Sequence, residues 1–257
     1  MIRAAAAVAV VCVAVAGASA ATPHQTGLIA FTRYRLQDNP LWSEIWVARP
    51  DGSDARKVSH SRSAVEDDGS QWSPRGDLIV FQRCPANRPC SVWVVRPDGS
   101  GQHQVAACSG PGDCNDSNPS FAHDGKHVLW VHDWGHVKHG TIPDDDQIDH
   151  SAIVETDLAG GHLRILRRAD GYTGGFSSPR LSPDGTRILF DQYAWSPSRH
   201  TPDVLSVASS GGGAAHRVVP VGMQAQSGSW SPDGKTILFK PSSRRPTWWS
   251  VYSRNPA

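Results

Sequence analysis

The sequence predicts an all-β fold assembled from repeats of four short antiparallel strands, and three observations lead to this prediction. A phrase of the form Trp/Leu-Ser-Pro-x-Gly followed by an apolar run occurs at 72–81, 181–190 and 230–239, with a looser copy at 121–130. The copies start 49, 60 and 49 residues apart, a spacing typical of stacked supersecondary units. The chain also has 24 glycines, 19 prolines and 10 tryptophans, which suits short strands joined by frequent turns.

Each repeat is predicted to contain four strands in a fixed order. The first ends at the Ser-Pro phrase, and Pro-Asp-Gly then turns the chain, because glycine accepts positive φ and aspartate tolerates it. The second is the apolar run, such as 188–190, and the third is a β-branched and aromatic run, such as 44–48 or 91–95. Both of these third strands are followed by Arg-Pro-Asp-Gly-Ser, a second hairpin signal, and a short outer strand such as 104–106 completes the unit.

Counting the third strands gives five repeats, at Trp46, Trp93, Val154, Leu205 and Val251. Four-stranded sheets packed around an axis leave few exposed edges, so the predicted architecture is a β-propeller with four-stranded antiparallel blades. We expect the first repeat to lack its inner strand and the last to lack its outer one. The sequence leaves open a sixth, degenerate blade and the way in which the ring closes.

Residues 1–20 have the composition of a secretory signal peptide, with Arg3, an apolar run over 4–16 and a small-residue cleavage site at 18–20. The rest, 21–257, is predicted to be a single secreted or periplasmic domain and a monomer. No later stretch is long and apolar enough to span a membrane. The net charge is +1, and without Arg3 the domain has 24 basic and 24 acidic side chains, which gives no electrostatic reason to expect nucleic acid binding.

Four cysteines follow the signal peptide: Cys84, Cys90, Cys108 and Cys114. An even number of cysteines in an exported chain favours disulfides, and four cysteines allow three pairings. We prefer the local pairs Cys84–Cys90 and Cys108–Cys114. A metal site is the alternative, although the spacing differs from that of a C-x-x-C zinc site.

The phrase Trp-Ser-Pro-Asp-Gly-x-x-Ile-Leu-Phe, with Trp-Val-x-Arg-Pro-Asp-Gly-Ser downstream, resembles the repeat of TolB-like β-propellers, a WD40-like propeller family. The resemblance covers residues 27–252. It implies a binding platform, a part of a peptidase or a lyase, since this fold hosts several functions. We expect the amino-terminal domain of TolB to be missing, because the repeats begin soon after the expected cleavage site.

The third repeat is longer than the others, and its additional residues are predicted to form a His/Asp-rich loop at 132–150. Imidazoles and carboxylates are ligands for divalent metal ions, so this loop is a candidate metal site. Its candidate ligands are His132, His136, His139, Asp144, Asp146 and His150. Such a cluster is similar to the histidine-held metal of oligogalacturonate lyases, which are also propellers. The alternative is a solvated loop without a metal ion.

The loops between second and third strands, and those between fourth and first strands, are expected to gather on one face. This face is predicted to bind a ligand through aromatic and arginine side chains. The candidates are Trp42, Arg83, Trp134, Tyr193, Trp195, Arg199 and Arg244. No nucleophile elbow, P-loop or H-E-x-x-H motif is present, so the sequence favours a non-catalytic binding or scaffold module for a protein, peptide or glycan. The alternative is a metal-dependent polysaccharide lyase or hydrolase that uses the loop 132–150.

Overall fold

The structure is a computed structural model, and its described residues form strands, turns and loops without a helix. It describes residues 27–35, 42–62, 64–86, 88–108, 112–138, 147–172, 174–193, 195–196, 199–200, 204–219, 225–241 and 252–254. The predicted signal peptide at 1–20 lies outside these residues. Within them there is no helix long and apolar enough to cross a membrane.

The described strands pair with their neighbours almost entirely in the antiparallel sense. In chain order they are β1 (Ile29–Tyr34), β2 (Ser43–Ala48), β3 (Arg56–Lys57), β4 (Val65–Trp72), β5 (Ile79–Pro85), β6 (Ser91–Val95), β7 (His103–Ala106), β8 (Asp113–Phe121), β9 (His127–Lys138), β10 (Gln147–Asp157), β11 (Arg164–Asp170), β12 (Gly175–Leu181), β13 (Arg187–Tyr193), β14 (Trp195–Ser196), β15 (Arg199–His200), β16 (Val204–Ser209), β17 (His216–Arg217), β18 (Ala225–Trp230), β19 (Ile237–Pro241) and β20 (Tyr252–Arg254).

Apart from β14 and β15, which form a separate two-stranded sheet, the described strands form five consecutive units of the predicted kind. Strands β4 to β7 form one four-stranded unit, β8 to β11 a second, and β12, β13, β16 and β17 a third. Among the described residues, the first unit, β1 to β3, and the last, β18 to β20, have three strands each. One parallel pairing, between Ser43 and Glu66, joins the first two units. No pairing among the described strands joins the last unit to the first, so the number of blades in a closed ring stays a prediction.

The Ser-Pro-x-Gly phrase forms the turn between the first and second strands of a unit. In all four copies the residue that starts the turn donates its backbone N–H to the carbonyl oxygen five residues later, at 2.8 or 2.9 Å. The turn glycine has φ between 64° and 71°, a conformation that glycine adopts without the steric cost of a Cβ. These glycines are Gly76, Gly125, Gly185 and Gly234. The hairpin prediction is therefore confirmed in each copy.

The apolar runs of neighbouring units build the core between the sheets. The second residue of one run shares a buried cluster with the first residue of the next run. These pairs are Val80 with Val128, Leu129 with Ile188, and Leu189 with Ile237. At the two ends of the array the equivalent residues, Leu238 and Ile29, are 44% and 48% exposed. Burial of these positions therefore depends on a neighbouring unit.

A bulge in each first strand was not predicted. A residue with positive φ interrupts the pairing with the second strand at Gly69, Asn118, Ser178 and Ser227. Two of these residues also bond to the preceding unit. The backbone N–H of Asn118 donates to Gln82 Oε1 at 2.8 Å, and that of Ser227 donates to Asp191 Oδ2 at 3.0 Å. The bulges thus turn backbone donors of one unit towards its neighbour.

The prediction of a loop over 132–150 is wrong for most of its length. Residues up to Lys138 belong to β9, and residues from Gln147 belong to β10. These two strands pair with each other, from Gln147 opposite Lys138 to Asp157 opposite His127. The segment is rich in His and Asp and lacks the apolar runs that mark the strands of the shorter repeats. Cross-strand contacts between aromatic rings and charged groups stabilise a strand as apolar packing does.

Candidate functional site

Both predicted disulfides are present and lie at the same end of the sheets. Cys84 at the end of β5 is bonded to Cys90 before β6, and Cys108 after β7 is bonded to Cys114 at the start of β8. We call this end the disulfide face. The backbone of Cys90 accepts from the N–H of Asp116 at 3.3 Å, and its own N–H donates to Asn115 Oδ1 at 3.2 Å. These bonds fasten the second unit to the third beside the disulfides.

Three aromatic rings stack where β9 and β10 extend towards the disulfide face. His132 and Trp134 are two residues apart on β9, so they share one side of the strand, and His150 is the cross-strand partner of Trp134. The centroid of the Trp134 ring lies 4.9 Å from that of His132 and 5.1 Å from that of His150. The Arg168 guanidinium lies 5.2 Å from the same ring. Trp134 is therefore occupied by contacts within the protein.

The two imidazoles of this stack pair with different carboxylates. His132 Nδ1 lies 2.7 Å from Asp116 Oδ1, and His150 Nδ1 lies 2.6 Å from Asp170 Oδ1. Asp116 is 1% exposed, whereas the Asp170 side chain is 50% exposed. The first pair is thus part of the interior and the second is open to solvent.

A third carboxylate, Asp149, lies between two of the predicted metal ligands. His136 Nδ1 is 3.5 Å from Asp149 Oδ2, and His150 Nε2 is 3.8 Å from the same atom. Burial acts to raise the pKa of Asp149, but hydrogen bonding from the backbone and side chain of His136 outweighs it and holds that pKa below its ordinary value. Asp149 is therefore a carboxylate at neutral pH.

The predicted metal ligands are thus divided in the described part of the chain. His132 pairs with Asp116, while His136 and His150 approach Asp149. The other three predicted ligands, His139, Asp144 and Asp146, lie outside the described residues. The six-residue metal site stays a prediction.

A different group of metal-ligand side chains is present in the described residues. Cys108, Asp116 and His132 each offer one ligand atom, and these atoms lie within 4.8 Å of one another. Asp116 and His132 also line a cavity of about 280 Å³, together with Val105, Ala107 and Trp130. The sequence does not reveal this group, because Asp116 lies outside the His/Asp-rich segment 132–150 and meets His132 only through the pairing of β8 with β9.

The predicted ligand-binding residues have mixed surroundings. Arg83 makes a bidentate pair with buried Asp67, at 2.7 and 2.9 Å, and only 11% of its side chain is exposed. Trp42 lies beneath the Arg35 guanidinium, 5.2 Å from the ring centroid. Tyr193 is the last residue of β13 and pairs with Gly175. Its hydroxyl lies so close to Gly175 that a Cβ at position 175 would clash with it. The side chains of Trp195 and Arg199, and the whole of Arg244, lie outside the described residues.

A buried carboxyl group lies on the opposite side of β9 from the ring stack. Asp133 is partly buried between its cross-strand neighbours Asn115 and Ser151, and within the described structure its Oδ1 atom has no hydrogen-bond partner. Burial raises the pKa of Asp133 to about 6, although the neighbouring Ser151 hydroxyl and the charge of His132 act in the opposite direction. This carboxyl therefore changes charge in a mildly acidic range.

Replacement of Asp133 by asparagine should change the pH dependence of stability. The folded pKa of about 6 lies above the unfolded value, so the folded protein binds the proton more tightly and loses stability as the pH rises from about 4 to 6. Asp133→Asn removes this loss. We expect the free energy of unfolding of the variant, taken relative to that of the original protein, to be about 2 kcal/mol higher at pH 8 than at pH 4. Urea denaturation at both pH values measures the difference, and an offset that is the same at both would contradict the prediction.

Three ionisable side chains around the ring stack are exposed on the disulfide face. The His136 side chain is 83% exposed, Arg168 is 45% exposed, and Asp170 is 50% exposed. Arg168 and Asp170 also pair with each other, at 2.7 Å. The stack therefore fixes the strands beneath a surface that offers both signs of charge.

Comparison with solved structures shows what this architecture is similar to. TolB from Acinetobacter baumannii superimposes with a TM-score of 0.59 and 18% identity, over 83% of this chain and 46% of TolB. An oligogalacturonate lyase in complex with manganese gives 0.56 and 14%, over 89% of this chain and 62% of the lyase. A puromycin-hydrolysing peptidase from Mycobacterium tuberculosis gives 0.55 and 14%, over 90% and 36%.

No family model matches the sequence, and no curated protein matches it. The predicted membership of the WD40-like family therefore stays a prediction. The chain spans about half the length of the TolB structure, and identities below one fifth carry information about the fold alone. What the comparisons show is that this all-β chain has a TolB-like β-propeller fold.

Proposed function

We propose that the protein is an exported, non-catalytic binding module that takes up a protein, peptide or glycan on its disulfide face. The observation that carries the proposal is the extended β9–β10 hairpin, which places His136, Arg168 and Asp170 in solvent around a fixed ring stack. Exposed charges on a rigid base lose little conformational entropy when a ligand binds. Such surfaces are suited to recognition rather than to a chemical step.

Three further features support this proposal. Two disulfides brace the same face, which is consistent with a secreted or periplasmic location. Bonds from the backbone of Cys90 to the third unit limit relative motion of the two units there. The chain also shares the propeller fold of TolB. In our proposal the propeller acts as a monomeric platform for the ligand.

Ligand arrays test the proposal directly. We expect the purified protein to bind members of an array of acidic oligosaccharides and peptides, and Arg168→Ala to weaken the selected ligand at least about fivefold. Arg75→Ala is the matched control, because Arg75 is a similarly exposed arginine, paired with Asp77, at the opposite end of the sheets. Equal losses of affinity in the two variants, or a loss in Arg75→Ala alone, would contradict the assignment of ligand binding to the disulfide face.

A metal-dependent lyase or hydrolase is the second candidate, favoured by the structural likeness to the manganese-bound oligogalacturonate lyase. The described histidines do not fit a single ion as predicted, since His132 and His150 pair with different carboxylates. Incubation with polygalacturonate and manganese, followed by ultraviolet absorbance of unsaturated products, tests it. Product formation that disappears in His150→Ala would replace the binding proposal by this one.

A further inference from the structure

The third unit differs from the second at one pair of equivalent positions. In the second unit, Asp67 of β4 pairs with Arg83 of β5, two residues after the apolar run ends in Phe81. In the third unit, the equivalent aspartate is Asp116 of β8 and its partner is His132 of β9. Arginine remains protonated and cannot ligate a metal ion, whereas neutral histidine can. The third unit thus has a metal-competent pair where its neighbour has a permanent ion pair.

A cysteine sulfur lies beside this pair. Cys108 Sγ, a carboxylate oxygen of Asp116 and a ring nitrogen of His132 lie within 4.8 Å of one another. In the structure that sulfur is bonded to Cys114, and a disulfide sulfur does not act as a thiolate ligand. The disulfide and a metal site on these residues therefore exclude each other.

We propose that reduction of the Cys108–Cys114 disulfide creates a zinc-type metal site formed by Cys108, Asp116 and His132. The reductant is a dithiol, which supplies two electrons and two protons. The sulfur–sulfur bond breaks, two protein thiols form, and the dithiol becomes a disulfide. Binding of the divalent ion then releases the proton of the Cys108 thiol, because the ligand is the thiolate.

The surroundings of the group match the needs of such an ion. Cysteine, histidine and aspartate are all zinc ligands, and a site with three protein ligands keeps a fourth position for water. The cavity of about 280 Å³ beside Asp116 and His132 provides that space. Asp116 is 1% exposed and also accepts from Trp130 Nε1 at 2.9 Å, so its carboxylate is held in place before the ion arrives.

Cobalt binding tests the proposal without a reductant. Cys114→Ser leaves Cys108 as a free thiol, and we expect this variant to bind one Co²⁺ with the near-ultraviolet absorption of a cobalt–thiolate bond. Zinc should displace the cobalt. His132→Gln in the same background should weaken binding at least about tenfold. The oxidised original protein should show no such absorption, and should acquire it after treatment with dithiothreitol and removal of the reagent.

Cys108→Ser is the matched control, because it leaves the partner thiol of Cys114 instead. Equal cobalt–thiolate absorption in the two cysteine variants, or its absence from both Cys114→Ser and the reduced original protein, would overturn the site. Alkylation followed by peptide mapping confirms that Cys84–Cys90 remains bonded, and circular dichroism confirms that the sheets are intact. This outcome is independent of ligand binding at Arg168, so either proposal can fail without the other.

Discussion

Replacement of Arg83 by methionine should destabilise the protein by about 3–5 kcal/mol, because it leaves the buried carboxylate of Asp67 without its counter-ion. Asp67 is fully buried, and both of its oxygens accept from the Arg83 guanidinium. The guanidinium also covers the ring of Trp93, 4.6 Å from its centroid, so methionine must replace packing as well as charge. Urea denaturation followed by far-ultraviolet circular dichroism measures the loss.

Two matched variants separate charge from packing. Arg75→Met breaks an exposed pair with Asp77 and should cost less than about 1 kcal/mol. Asp67→Leu combined with Arg83→Met removes both buried charges and should recover most of the loss. A loss in Arg83→Met no larger than that in Arg75→Met would mean that the Asp67 carboxylate is not desolvated in the folded protein.

Replacement of Trp130 by alanine should be equally severe, at about 3–5 kcal/mol, because it opens a large cavity between the second and third units. Trp130 is 2% exposed and shares a buried cluster with Val80, Val94 and Val154. It also borders the cavity of about 280 Å³, so its removal enlarges a space that is already present. The free energy of unfolding in urea measures this loss.

The matched variant Trp130→Phe tests why this unit has tryptophan where its neighbours have phenylalanine. The equivalent residues of three other units are Phe81, Phe190 and Phe239. Trp130 alone among these donates to a buried carboxylate, Asp116, and phenylalanine cannot, so we expect Trp130→Phe to cost about 1–2 kcal/mol. A variant as stable as the original protein would show that the imidazole of His132 satisfies Asp116 without help.

The local features of this fold could be predicted from the sequence because short-range chemistry decides them. Glycine at the turn positions requires no tertiary information, since only glycine adopts the required positive φ without steric cost. The disulfide Cys84–Cys90 closes the loop of one hairpin, and its short sequence separation favours it over distant pairings. Each of these predictions concerns groups that are close in the chain.

The candidate site was harder to predict because it depends on partners from other strands. The sequence placed His132 and His150 together in one loop as metal ligands. The structure places them on paired strands, where Trp134 stacks on both and separate aspartates engage them. Arg83 looked like a surface anchor, yet a carboxylate 16 residues away binds it in the interior. Composition alone does not show which charge a side chain will meet.

The sequence by itself determined the repeat and the turns between its strands, and it favoured the local disulfides over the other pairings. Their causes are backbone sterics and the period of apolar residues, which act within a few positions of the chain. Only the tertiary structure decided that 132–150 continues two strands, that the first strands bulge towards the preceding unit, and that Cys108 meets Asp116 and His132. These features depend on contacts between strands and units that lie far apart in the chain.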